Sequence, residues 1–318
     1  MRFLLILLLG SALVWSAPGA GLEPVALAPS VYAFYGDPGE ATWDNAGNTG
    51  NTGFIIGRDG VIVVDTGISY RHGQAILEAL ARTTDKPVQL AIITHGVQEF
   101  LFGNAAFAER GVPLLAHARS VELMRSRCEH CLENLRVLLG DAMMRGTRVV
   151  LPERTVEASM SLEVAGRKLD LLTFGWGATP GDLVVFDRSS GVLFAGGLLT
   201  VQRIPDLRDG KLDGWLAALD RLEQVPARVL VPGHGPAATP AAIGELRDYL
   251  LALDAQARQF YGSGLSLMQA LDAAELPAYR HWAMYPTLHR RNVQQRYLEL
   301  ELEELERVSC QGSVVSCQ

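Results

Sequence analysis

The run from Val88 to Arg110 constrains this chain more than any other. Val88-Gln89-Leu90-Ala91-Ile92-Ile93 is almost wholly apolar and of strand length, as a strand buried on both faces requires. It passes without a linker into Thr94-His95-Gly96-Val97-Gln98-Glu99-Phe100-Leu101-Phe102-Gly103-Asn104, and a helix-like segment follows from Asn104 to Arg110. A buried strand that turns directly into a helix belongs to an α/β architecture. At such a turn the backbone is held from both sides and side chains project into a crevice. His95 and Glu99 stand in that turn and are the first candidates for site chemistry.

The flanking sequence has two similar halves. Val31-Tyr32-Ala33-Phe34-Tyr35 reads as a strand, and the stretch rich in Gly, Asn and Asp from Gly36 to Asn51 as a loop. Phe54–Gly57 and Val61–Val64 flank Arg58-Asp59-Gly60 as a hairpin, and a helix is predicted from Tyr70 to Arg82 with an exposed or capping His72. Strand Val112–Ala116 completes a βαβ unit, and Ala118 to Met144 reads as mostly helical. Hairpins then recur, Ser161–Val164 with Lys168–Leu172 and Leu183–Phe186 with Val192–Ala195, followed by helix Leu212–Leu222 and strand Arg228–Val231. Two β-rich halves with helices outside predict a sandwich of two mixed sheets. Beyond residue 240 the pattern is helical, from Ile243 to Gln259 and from Leu288 to Val308, and the acidic run Leu298–Glu306 reads as a solvated helix face.

Arg2, the apolar run from Phe3 to Leu9 and the small residues Ser16-Ala17-Pro18-Gly19-Ala20 follow the order of a secretory signal peptide over residues 1–20, with cleavage between Ala17 and Gly21. The expectation is an exported, periplasmic or secreted protein with no membrane span after cleavage. A net charge of -7 argues against nucleic acid as a partner. In an exported chain the four cysteines Cys128, Cys131, Cys310 and Cys317 are candidates for disulfides, in any of three connectivities. Cys128-Glu129-His130-Cys131 also has the spacing of half a structural zinc site, for which Cys310 and Cys317 would supply the rest.

Five motifs along the chain resemble the metallo-β-lactamase fold superfamily. Thr94-His95 and Gly103-Asn104 fit the frame of its Thr-His-x-His-x-Asp-His-x-x-Gly-Asn signature, and Asp65-Thr66-Gly67 follows the early hairpin as the family's Asp-Thr-Gly does. Trp176-Gly177-Ala178-Thr179-Pro180-Gly181-Asp182 resembles Gly-x-x-His-Thr-Pro-Gly-Asp, and Leu193-Phe194-Ala195-Gly196-Gly197-Leu198-Leu199 resembles Leu-Phe-x-Gly-Asp-Leu-Leu. Val231-Pro232-Gly233-His234 keeps the last His. The resemblance implies an αββα domain over residues 28–240, with a C-terminal helical extension over 241–318 packed on it. Arg203-Ile204-Pro205, Gly214–Leu219 and the C-terminal helices are similar to the exported quinoprotein relay system zinc metallohydrolases, a group associated with periplasmic PQQ-dependent oxidation systems.

In that family the positions of residues 95, 97 and 178 hold one zinc, those of 99, 100 and 234 a second, and that of 197 bridges them, while Asp65 orients the metal loop. Here Val97, Phe100, Ala178 and Gly197 offer no side-chain donor, which leaves only His95 to the first metal position and only Glu99 and His234 to the second. A hydrolytic zinc needs about three protein ligands and an open position for water. The expectation is therefore a degenerate site and a non-catalytic binding or accessory protein, with no cofactor and with a small molecule or protein of a periplasmic oxidation system as its partner. Two alternatives stand beside it. One is a residual hydrolase of esters, thioesters or amides, with one metal on His95, Glu99 and His234. The other is a structural partner acting through the helical faces. Phe100 and Trp176 could fill the vacated space or line a ligand pocket.

Overall fold

A computed structural model of the protein describes residues 22–312, so the expected export segment over residues 1–20 lies outside the described residues, as does Cys317. In chain order the elements are β1 (Val25–Ala28), β2 (Val31–Phe34), β3 (Thr52–Ile56), β4 (Val61–Val64), α1 (Tyr70–Thr83), β5 (Val88–Ile93), α2 (Gln98–Leu101), α3 (Asn104–Ala108), β6 (Leu114–His117) and α4 (Ala118–Leu139). They continue with β7 (Arg154–Val156), β8 (Met160–Val164), β9 (Arg167–Leu172), β10 (Val184–Asp187), β11 (Val192–Thr200), α5 (Leu212–Glu223), β12 (Val229–His234), α6 (Ala241–Gly262), α7 (Leu267–Asp272) and α8 (Arg290–Gly312).

The strands form two mixed sheets. The first has seven strands in sequential order, antiparallel from β1 to β4 and parallel from β4 to β7. The second has five in the order β12-β11-β10-β9-β8, with only the β11–β12 pair parallel. Ile55, Ile62, Leu90 and Ile92 from the first sheet meet Leu169, Leu171, Val185 and Phe194 from the second in a shared apolar layer. The opposite faces are covered by α1 and α3 on one side, through Ile76, Leu80 and Phe107, and by α5, α6 and α8 on the other, through Trp215, Leu246, Leu250 and Val293. The result is the four-layer αββα sandwich that the two-halves pattern predicts. Both faces of each central strand are covered, which is why β4 and β5 read as near-continuous apolar runs.

Two signature fragments lock against each other and aim the turn after β5. Thr66 N donates to the Phe100 carbonyl and Gly103 N to the Gly67 carbonyl, both at 2.9 Å. The Thr66 hydroxyl donates to Asn104 Oδ1 at 2.8 Å, and Asn104 Nδ2 donates to the Val150 carbonyl at 2.9 Å. A Cβ at Gly103 would lie 1.8 Å from the Thr66 carbonyl oxygen, so the close approach of these two turns admits only glycine.

The C-terminal helices depart from the sequence reading in one respect. The acidic run is not simply solvated. The Arg296 side chain, 3% exposed, pairs with Asp254 of α6 at 2.7 Å and with Glu299 and Glu303 of its own helix at 3.1 and 2.7 Å. A buried guanidinium needs such partners, and the helical pattern alone could not reveal that α6 packs along α8. Leu298, Leu302 and Leu305 remain exposed. Among the described residues no helix is long and apolar enough to cross a membrane.

Two glycine substitutions should separate close packing from helix propensity. Gly103→Ala is expected to lose about 3 kcal/mol or more of stability by overpacking. Gly244→Ala, in α6 with open space around it, should gain about 0.5–1 kcal/mol. Urea unfolding midpoints of the two variants check both signs.

Candidate functional site

The candidate site lies where β5, β11 and β12 end. There a cavity of about 380 Å³ opens, lined by His95, Glu99, Gly197, Arg203 and His234 among others. Open α/β sheets place ligands outside the carboxyl ends of their parallel strands, and the same geometry applies here.

Each histidine is held from behind. Thr94 N donates to Asp65 Oδ1 at 2.8 Å, and the Thr94 hydroxyl lies 2.8 Å from both Asp65 Oδ2 and His95 Nδ1, so Asp65, Thr94 and His95 form one hydrogen-bonded chain. Asp65 adopts a left-handed backbone with φ of 62°, a conformation Asp tolerates better than most residues and one that turns its carboxylate toward Thr94. His234 Nδ1 sits 2.9 Å from the Thr49 carbonyl. A carbonyl can only accept, so His234 carries its proton on Nδ1 and keeps the lone pair on Nε2. Thr49 belongs to the Gly- and Asn-rich loop. Asn51 fastens that loop to the end of β12 by donating Nδ2 to the carbonyls of Pro232 and Gly235 at 2.9 and 2.7 Å. The sequence reading took this segment as a loop and nothing more. The only local signal of its role is the density of small residues that permits close backbone approach.

Phe100 is completely buried between the two imidazoles. Its ring centroid lies 4.3 Å from that of His95 and 5.3 Å from that of His234. Gly197 lies directly beneath His95, where a Cβ would come within 2.8 Å of Cδ2 and 3.0 Å of Nε2. Val97 and Ala178 contribute hydrocarbon to the cavity wall. Trp176 takes no part in it. Its indole is 39% exposed and donates to the Asp209 carbonyl at 2.7 Å, whereas Trp215 lines the cavity instead.

Burial sets the protonation states. It pushes His95 down to about 3 and holds His234 well below the usual imidazole range, helped there by the positive charge of Arg203. Burial raises the Glu99 carboxyl, and its Oε2 is enclosed without a hydrogen-bond partner. Both histidines are thus neutral at pH 7, and Glu99 resists ionisation.

Other expected residues fall elsewhere. Cys128 is buried and Cys131 half-buried one turn apart on α4, both as free thiols; Cys310 lies within α8. His117 caps α4 by accepting from Arg119 N at 3.1 Å. His72 is neither exposed nor a side-chain cap of α1. It is buried under Gly67, its Nδ1 facing Ile68 N at 3.4 Å, because the close turn at Gly67 leaves an imidazole-sized space there.

A two-sheet αββα sandwich with its crevice at these strand ends defines a class of protein, and comparison with known proteins specifies the family. Residues 46–234 match the model of the metallo-beta-lactamase superfamily. The chain is 23% identical over 259 residues to a linear primary-alkylsulfatase from Pseudomonas sp. (strain ATCC 19151), covering 70% of this chain and 49% of that one. It therefore spans about half the length of the alkylsulfatase it matches. Among solved structures it resembles a metallo-beta-lactamase from Pontibacter korlensis, with a TM-score of 0.60 and 21% identity over 72% of this chain and 99% of the other. It also resembles the stereoselective inverting sec-alkylsulfatase Pisa1 from Pseudomonas sp., with a TM-score of 0.67 and 18% identity over 87% of this chain and 50% of the other. This chain belongs to the metallo-beta-lactamase superfamily.

The side chains present do not fit the zinc centre that such a fold implies. Among the described residues no three His, Cys, Asp or Glu side chains converge to hold a metal. A phenyl ring packs against both imidazoles, and an Asp at position 197 could not be accommodated without moving His95.

Burial holds the Asp65 carboxyl protonated up to about 8, whereas in the unfolded chain it ionises near about 4. Between these two values the unfolded state has lost a proton that the folded state keeps, so the Asp65 contribution to stability falls as pH rises through that window. Asp65→Asn cannot ionise and should show a shallower decline over that window, measured by chemical denaturation at successive pH values. An unchanged slope would assign the effect to other groups, such as Asp182.

Proposed function

We propose that this protein is a non-catalytic binding or accessory member of its superfamily, exported to the periplasm and serving a PQQ-dependent oxidation system. In this reading the family's crevice is retained as a ligand pocket and the hydrolytic centre is degenerate. The observation that carries it is Phe100. Its ring lies against both surviving histidines, in a site where hydrocarbon or hydrogen also stands at positions 97, 178 and 197. An apolar filling of this kind suits a crevice that holds no cation, since buried donors without a metal would be costly. The export and the oxidation system rest on the N-terminal sequence and on the similarity of the C-terminal segments to the quinoprotein relay group.

One observation favours a second reading, a residual mononuclear hydrolase on His95, Glu99 and His234. The Thr49 carbonyl fixes His234 with its Nε2 lone pair free, the tautomer a metal ligand needs, and Glu99 has an unsatisfied oxygen. Elemental analysis of protein purified without chelators, before and after zinc incubation, separates the two. The accessory reading expects zinc at background and no hydrolysis of nitrocefin, 4-nitrophenyl acetate or a thioester above buffer. About one zinc per chain, lost in His234→Ala, together with hydrolysis of one of these substrates, would overturn it in favour of the hydrolase.

A further inference from the structure

The cavity contains a second unusual group. Arg203 is only 7% exposed, and its side chain forms a single hydrogen bond, from Nε to the Pro38 carbonyl at 2.9 Å. Among the described residues no carboxylate oxygen lies within 4.0 Å of its guanidinium. Among the described residues its terminal nitrogens donate to no protein atom, and the residue lines the cavity. A buried arginine without an ion pair is rare, because removing an uncompensated charge from water costs several kcal/mol. Arg296 shows how this same chain normally treats one, with three carboxylates.

The surrounding charges do not supply the missing partner. Asp206 pairs with Arg291 at 2.5 Å and with Arg208 at 3.5 Å, and Asp209 is held by Arg127 and Arg208. Asp37 and Glu40 are exposed. Glu99 attracts Arg203 only from beyond ion-pair distance. Arg203 is thus the cavity's uncompensated charge. The rest of the wall is partly hydrocarbon: Leu138, 54% exposed although it lines the cavity, together with Val97, Ala41 and Met284. At about 380 Å³ the space far exceeds an inorganic ion and suits a small organic molecule.

We propose that this cavity binds a small amphiphilic organic anion, with its carboxylate or sulfate head on the Arg203 guanidinium and its apolar part against Leu138, Val97 and Met284. The inference rests on reading the crevice as a ligand pocket and adds the charge and polarity of the ligand. A planar guanidinium recognises an oxyanion through paired charge-assisted hydrogen bonds, and the Arg203 terminal nitrogens are free to make them. No chemical step is implied, only binding.

The test is calorimetric titration of the full mature chain with octanoate, octyl sulfate, octan-1-ol, octylammonium and inorganic sulfate. Octanoate or octyl sulfate should bind at least about tenfold more tightly than the alcohol, the ammonium or the inorganic ion, since charge-assisted hydrogen bonds carry that much selectivity. The stronger of the two anions identifies the head group. Arg203→Gln should weaken the anions about tenfold or more while leaving octan-1-ol unchanged, and Arg203→Lys should restore part of the loss. Equal binding of octan-1-ol and the anions overturns the inference but leaves the pocket reading standing. Inorganic sulfate as tight as octyl sulfate overturns the amphiphilic part. Absence of binding by every probe overturns both the inference and the pocket reading. Unaltered anion affinity in a folded Arg203→Gln protein also overturns the inference. If that variant does not fold, the charge series on the unmodified protein decides.

Discussion

Thr94 is the residue through which the two halves of the sandwich meet. Its N–H and hydroxyl engage Asp65 at the end of β4, its carbonyl accepts from Leu183 N in the second half at 2.8 Å, and its hydroxyl reaches His95. Gly196 of β11 passes so close that a Cβ there would lie 2.5 Å from Thr94 Cβ. These contacts are buried, so each hydrogen bond is shielded from competing water and leaving any one unmade would be costly. The position of His95 follows from this junction.

The junction also explains how the fold holds together on contacts to the backbone. Asp65-Thr66-Gly67, Gly103 and Asn104 serve the backbone, holding two turns in contact through hydrogen bonds and a glycine-only approach. None of them needs a metal to be satisfied. Around the crevice stand Val97, Phe100, Ala178 and Gly197, of which Phe100 also joins the lock by accepting from Thr66 N. Phe100 fills the volume between the imidazoles, so the region is packed and not hollow. The polar groups that remain are individually accounted for: Thr94 holds His95, the Thr49 carbonyl holds His234, and Arg203 and Glu99 are left facing the cavity.

Much of this architecture was legible in the residues. The hairpin around Arg58-Asp59-Gly60, the strand Val88–Ile93 and the helices from Tyr70 and Leu212 emerge close to where alternation and helical spacing place them, because local pattern and burial agree there. β1 and β7 were missed. Both are short: β1 is a four-residue apolar run with no alternation to mark it as a strand, and β7 is three residues long and largely exposed. His72 was misplaced because its burial depends on a turn brought over it from outside its own helix.

By itself the sequence determined the family, the two-sheet architecture and the identity of the side chains at the crevice, since all three are written in local runs and fixed motif spacing. Only the tertiary structure decided what those side chains do together. It set Phe100 between His95 and His234, made the loop around Thr49 and Asn51 the clamp on β12, moved Trp176 outward and Trp215 inward, and left Arg203 buried without a counter-charge. The physical reason is that compensation of a buried charge, and the filling of a cavity, depend on groups more than a hundred residues apart in the chain, such as Pro38 and Arg203 or Thr49 and His234. Periodicity has no access to such pairs; packing does.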